Sequence, residues 1–158
     1  GEHGLPACFT AGQRSDEVEI AFQADDGSDF EGVARLFEHG EILAPAATAG
    51  ARGYEQVLAM YRNATRIYPE TGTPRTRHVT TNALIEVDEE AGTATARSYF
   101  TVLQATPELP LQPIIGGRYH DRFERVHGTW RFHTRRMLPD LFGELGKHLL
   151  FDASAISS

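Results

Sequence analysis

An α+β domain, with its helices first and an antiparallel sheet after them, is the fold class this sequence predicts. Three observations carry it. Before residue 70, apolar residues recur at helical spacing in three stretches. After it, they recur at the even spacing of half-buried strands in four. In residues 116–140, GGRYHDRFERVHGTWRFHTRRMLPD, two such runs flank His127-Gly128, a pair suited to a tight hairpin turn.

The helices come in order. The first is predicted over residues 15–25, capped by Ser15, with Val18, Ala21 and Phe22 on one face. The second starts at Ser28, which forms a capping box with Glu31. Its stripe is Phe30, Val33, Ala34 and Phe37, and Gly40 follows as a left-handed C-terminal residue. Residues 41–44 read as a short strand and residues 46–52 as a loop. The third helix is predicted over residues 54–68 and stops at Pro69.

The strands follow. Residues 76–88 place Val79, Thr81, Ala83, Ile85 and Val87 on one face, and His78, Thr80, Asn82 and Leu84 on the other. A turn at residues 88–92 leads into a strand over residues 93–104. Residues 105–113, with three prolines, read as a loop. The hairpin comes next and ends at Pro139, and residues 140–151 suit a last short helix carrying Lys147 and His148. Trp130 and Phe132 read as core, while His133 and Arg135 share a face and read as solvated outer sheet or an oligomer contact.

The chain has 158 residues, which fits one domain, placed at residues 15–151 with irregular tails at 1–14 and 152–158. Hydrophobic content is 41% and charged content 23%, as in ordinary globular proteins. No apolar run is long enough for a membrane span. The start, GEHGLPACFTAG, lacks the basic and apolar regions of a signal peptide. Cys8 is the one cysteine, so no internal disulfide forms, and a cytoplasmic location is the default expectation. The net charge is −7, with positive charge mostly from Arg and no basic run, which argues against nucleic acid as a partner. Dinucleotide, phosphate-loop, nucleophile-elbow and HExxH motifs are absent. His120, His127 and His133 lack usual metal spacings, so neither a metal nor a cofactor is expected.

Four segments together resemble a known family: ADDGSDFEGVARLFEHGEI (24–42), RGYEQVLAMY (52–61), TRHVTTNALIEVDEEAGTATARSYFTV (76–102) and GGRYHDRFERVHGTWRFHTRRMLPDLFG (116–143). Their order and spacing resemble the SnoaL-like branch of the nuclear transport factor 2-like superfamily. The resemblance implies a cone, an α+β barrel in which a curved, mostly antiparallel sheet wraps around three N-terminal helices. It implies an apolar pocket at the open end. Relatives in that superfamily include polyketide cyclases, scytalone dehydratase, a hexachlorocyclohexane dehydrochlorinase, steroid isomerases and dioxygenase β subunits.

The resemblance also implies site residues. His78 matches the catalytic base of the dehydratase and dehydrochlorinase, and Asp25 matches the carboxylate that orients it. Asp26 competes with Asp25 for that role. Arg125 matches an arginine of the hairpin segment. The dehydrochlorinase's helix-one lysine has no counterpart in SDEVEIAF.

On the residues alone, a histidine held by a carboxylate suits proton abstraction beside a leaving group or a carbonyl. A half-buried strand histidine bonded to a backbone carbonyl is the plain alternative. Asn82 either donates to a substrate oxygen or bonds neighbouring backbone. Tyr119 and Asp121 share a face that Phe123 and Arg125 continue. Asp121 is either half of a structural Asp–Arg pair or a cyclase-type base. Tyr54, Tyr61 and Phe100 are either packing or an aromatic lining for a cyclic substrate.

The expectation is a cofactor-independent lyase or isomerase of dehydratase or cyclase type, acting on a small cyclic or aromatic substrate. His78 and Asp25 are its catalytic pair. The other expectation, from a different class, is a non-catalytic ligand-binding or structural subunit like the dioxygenase β subunits. A homodimer or homotrimer through an apolar outer sheet face is expected in either case.

Overall fold

The structure, a computed structural model, describes residues 29–44 and 50–156. The first predicted helix, with Asp25, lies outside the described residues, as does Ser28. Helix α1 (Phe30–Leu36) is capped by Asp29, whose carboxylate accepts a 2.7 Å hydrogen bond from the Gly32 amide. The cap is thus one residue later than the expected Ser28. A side chain at position 32 would collide with that carboxylate, so Gly32 makes room for the cap. The helix ends at Phe37, and Gly40 is not a left-handed cap. Its role is clearance: a Cβ there would lie 2.6 Å from the Phe132 carbonyl oxygen.

Strands β1 (Glu41–Leu43) and β2 (Ala51–Arg52) pair antiparallel, with Arg52 bonding Glu41 at 2.8 Å. Helix α2 (Gly53–Ala64) buries Val57 and Leu58. It stops four residues before the predicted end, because Thr65 is extended and bridges Leu149. The backbone there is claimed by the C-terminal segment: Arg66 N–H donates to His148 at 2.8 Å, and Leu150 N–H to Ala64 at 3.0 Å.

The remaining strands are β3 (Thr76–Asp88), β4 (Thr93–Thr106), β5 (Leu109–Val126) and β6 (Thr129–Phe142). The sheet order is β2-β1-β6-β5-β4-β3, antiparallel except for β1 against β6, and the sheet is curved and unclosed. His127 and Gly128 both have positive φ, 51° and 80°, as a two-residue hairpin turn of the right twist requires.

Three expectations about β5 and β6 are corrected. The predicted loop at residues 105–113 is mostly strand. Residues before Ile115 have β4 as a partner but not β6, and Pro113 sits at a register shift, so neither Pro110 nor Pro113 lies in a stretch paired on both sides. Pro139 does not end β6: it pairs with Gly117 at another shift, and the strand runs on to Phe142. The predicted helix at residues 140–151 does not form; a short 3-10 turn, Ala153–Ala155, is the helical element of that end.

α1 and α2 pack against the sheet through Ala34, Phe37, Val57 and Leu58 on one side and Phe123 and Phe132 on the other. Phe132 lies 4.6 Å from both the Phe37 and the Phe123 ring centroids. A second cluster, Phe100, Val102, Ile114, Tyr119 and Leu145, joins the sheet to the C-terminal segment.

The outer face is mixed, with Val79, Leu84 and Tyr99 exposed on it beside a row of charge. Arg97, His120 and Arg136 face one another in register across β4, β5 and β6, and all three are exposed. Arg118 and Arg122, also exposed, flank that row on β5.

At Gly117 the backbone of β6 comes close to β5. A Cβ there would run into the Leu138 carbonyl oxygen and lie 2.6 Å from Pro139 Cα. Both obstacles are backbone, so Gly117→Ala is expected to destabilise by about 1–3 kcal/mol, as overpacking does. Thermal unfolding of the variant beside wild type checks this; an unchanged midpoint would contradict it.

Candidate functional site

A cavity of about 490 Å³ lies between α2, the inner face of the sheet and the C-terminal segment. α2 contributes Tyr61, β3 His78, β4 Phe100, β5 Tyr119, and the C-terminal segment Leu145 and His148. The lining is mostly apolar with a few polar groups, and its size is that of small-molecule pockets, roughly 300–1,000 Å³.

His78 reaches the cavity because of where β3 breaks its own alternation. Thr76, His78 and Thr80 pair with Gln104, Val102 and Phe100, all buried. The register then shifts between Thr81 and Leu84, and Asn82 takes a positive φ of 55°. Beyond this bulge the parity is reversed: Ile85 and Val87 pair with the buried Ala96 and Ala94. Asn82 is therefore an exposed bulge residue outside the cavity lining, and the face it was expected to share with His78 does not continue that far.

His78 is an exposed residue bordering the cavity, with enough protein packed around it to disfavour its charged form. Burial and then the charge of Arg135 hold its pKa below the ordinary 6.5. It is a neutral imidazole at neutral pH, free to accept a proton.

Arg135 is the main departure from the sequence reading. His133 is an extra residue in β6, since Arg122 pairs with Thr134 and Phe123 with Phe132. The bulge turns Arg135 inward instead of onto a solvated face, and it is only 8% exposed. Its Nε and Nη2 donate to Asp121 Oδ1 and Oδ2 at 2.9 and 2.7 Å. Its guanidinium carbon lies 4.1 Å from the Tyr119 ring centroid. Burial disfavours the arginine's charge, but the bond to Asp121 and its negative charge outweigh this and raise the pKa.

Asp121 thus pairs with Arg135 and not Arg125. Both its oxygens are engaged and it does not line the cavity, which removes it as a base. Arg125 lies at the far end of the sheet, bonded to the Glu89 carboxylate at 2.6 Å and to the Glu89 carbonyl at 2.8 Å. Tyr54 packs in the first core cluster. Tyr61, Phe100 and Tyr119 do line the cavity, with Phe100 stacked on Tyr119 at 4.5 Å. Burial raises the pKa of both tyrosines, so each keeps its hydroxyl proton.

His148 was not singled out in the sequence. Burial, and then the proximity of His78, lower its pKa to about 4. Between pH 6.5 and 4 the unfolded chain therefore binds a proton at this residue that the native chain does not. Stability is expected to fall with pH across that window, by up to about 1.4 kcal/mol per pH unit from this residue. Melting curves at pH 7 and pH 4.5 check this: His148→Phe should lose less on acidification than wild type, and an equal loss would contradict it.

Among the described residues, no three His, Cys, Asp or Glu side chains converge as a metal site needs. Among the described residues, no helix is long and apolar enough to cross a membrane.

A family model described as the SnoaL-like domain matches residues 18–136. No curated protein matches the chain. Among solved structures, it is similar to Rv3472, a protein of unknown function from Mycobacterium tuberculosis. The identity is 28%, over 83% of this chain and 73% of that one, with a TM-score of 0.58. It is also similar to an NTF2-like protein with a cystatin-like fold from Novosphingobium aromaticivorans, at 21% identity over 83% and 75% of the two chains, TM-score 0.58. A third likeness is to a chain from the same species assigned as a scytalone dehydratase, at 24% identity over 77% and 83%, TM-score 0.55. The two likenesses below 25% identity bear on the fold alone.

Proposed function

The chain belongs to the SnoaL-like domain family, and on that premise we propose that it is a small-molecule lyase or isomerase whose general base is His78. The observation that carries the reading is a single one: an imidazole held neutral on the wall of a mostly apolar cavity. A base needs that protonation state and access to a bound molecule.

In the proposed step a ring nitrogen of His78 takes a proton from a carbon next to a carbonyl. The electron pair left behind forms the enolate. It then expels a hydroxide from the neighbouring carbon, attacks a second carbonyl, or is reprotonated elsewhere, giving dehydration, cyclisation or isomerisation. The Tyr61 and Tyr119 hydroxyls, both protonated, serve as donors toward the developing oxyanion. Asp25, outside the described residues, is proposed as the carboxylate that orients His78. The step involves no redox change. The substrate is a cyclic hydroxy-ketone or a polyketide-like compound, matched to the aromatic wall of Phe100 and Tyr119.

A panel of such compounds assayed across pH tests the proposal. kcat/KM is expected to fall on the acidic side with a midpoint below 6.5, because protonated His78 cannot act as a base. Compounds that bind in the cavity without any turnover would favour a ligand-binding module instead.

A further inference from the structure

The segment after β6 crosses the cavity and is fixed there through its backbone. Gly143 N–H donates to Ile114 at 2.8 Å, the Tyr68 hydroxyl to Lys147 at 2.6 Å, and Gln104 Nε2 to Lys147 at 3.2 Å. Around His148, its own N–H donates to Leu145 at 3.0 Å, and its carbonyl accepts from Arg66 at 2.8 Å. The backbone position of His148 is therefore set from both sides, and its side chain borders the same cavity as His78.

One nitrogen of the ring is unsatisfied. His148 Nδ1 is buried without a hydrogen-bond partner. Among the described residues the other such atoms are Arg66 Nε, Thr76 Oγ1 and Gln104 Oε1. All belong to the same neighbourhood: Arg66 and Gln104 bond the segment's backbone, and Thr76 is Gln104's register partner. Buried polar groups are nearly always paired; of these four residues only His148 lines the cavity, so its ring is the one a bound molecule can reach. The rest of the wall is mostly apolar, with Tyr61, Tyr119 and His78 as polar groups outside the C-terminal segment.

We propose that His148 forms a polar subsite of the cavity, hydrogen-bonding a hydroxyl or carbonyl oxygen of a cyclic substrate whose carbon skeleton lies against the Phe100–Tyr119 wall. The inference rests on the small-molecule reading of this cavity and adds a substrate-contacting residue to it. His148 stays uncharged at neutral pH, so one ring nitrogen donates and the other accepts, and either kind of oxygen is served. A substrate oxygen held there is fixed relative to His78, which would decide which carbon the base reaches.

The test uses two probes of nearly equal shape, naphthalene and 1-naphthol, titrated into the full chain by calorimetry. Wild type is expected to bind 1-naphthol about tenfold more tightly, the preference one good hydrogen bond supplies. His148→Phe should bring the two affinities to near parity while changing that for naphthalene by less than about threefold. His148→Gln, which keeps hydrogen-bonding groups, should retain part of the preference, and His78→Phe should retain it. A preference that survives both His148 substitutions, or disappears only in His78→Phe, would overturn the subsite and leave the proposed function standing. Equal binding of the probes by wild type would also overturn it. Failure of wild type to bind either probe would overturn the small-molecule reading and the subsite together.

Discussion

Asp121→Asn is expected to lower the free energy of unfolding by about 3–5 kcal/mol, the cost of leaving one partner of a buried ion pair without the other. Asp121 is 2% exposed and Arg135 8%. The carboxylate meets the guanidinium through two parallel bonds of 2.9 and 2.7 Å. An amide at position 121 offers one acceptor and turns a donor toward a donor. The arginine's charge then stays in the interior, near Tyr119 and Phe132 at 4.1 and 5.0 Å, without the Asp121 carboxylate. Domains of this size are stable by only about 5–15 kcal/mol, so the loss is a large share. Replacing both partners, Asp121→Leu with Arg135→Met, removes the buried charge altogether and is expected to cost much less than the single change. Urea unfolding of the three proteins checks both statements. A single variant within about 1 kcal/mol of wild type would contradict the account of the pair.

His78→Ala is expected to reduce kcat by about 10²–10⁴, the usual worth of a general base, while the affinity for a bound ligand changes little. The imidazole is one of many groups lining the cavity, and most of the contact area comes from the apolar wall. Asp25→Asn is expected to lower kcat too, because an amide no longer stabilises the imidazolium formed when His78 takes its proton. Steady-state assays with a panel of cyclic hydroxy-ketones, paired with calorimetry on each variant, separate the two effects. Loss of binding in step with loss of rate would mean that His78 holds substrate and is not the base.

Much of the frame was readable in the sequence. β3 begins and ends at Thr76 and Asp88, the predicted bounds, and His127-Gly128 makes the turn its composition implies. Placing His78 at a pocket came from the family resemblance, and the structure puts it on the cavity wall. The two misplaced strand faces share one cause. Strand alternation assigns faces only while the register is unbroken, and one extra residue reverses every side chain beyond it. Asn82 and His133 are such residues. The first separates Asn82 from His78, and the second carries Arg135 into the interior. Neither bulge has a local signature, since Asn82 follows two threonines of good strand propensity and His133 stands in an aromatic run.

Proline was the other misleading signal. It argues against a strand with neighbours on both sides, but Pro113 and Pro139 sit at register shifts. His148 was hidden for a different reason. The segment that carries it is held by bonds to Ala64, Arg66, Tyr68 and Gln104, all distant in sequence, so no periodicity announces it.

Dehydration, cyclisation and isomerisation by this site all begin with removal of a proton from carbon by His78. Exchange of that proton with solvent is therefore the most direct measurement, and it needs no knowledge of the product. Cyclic ketones that bind the protein are incubated in D2O, and deuterium entering the carbon next to the carbonyl is followed by NMR. The account predicts incorporation that wild type accelerates and His78→Ala does not. A ketone shown to occupy the cavity, yet exchanging no faster with wild type than with His78→Ala, would contradict it.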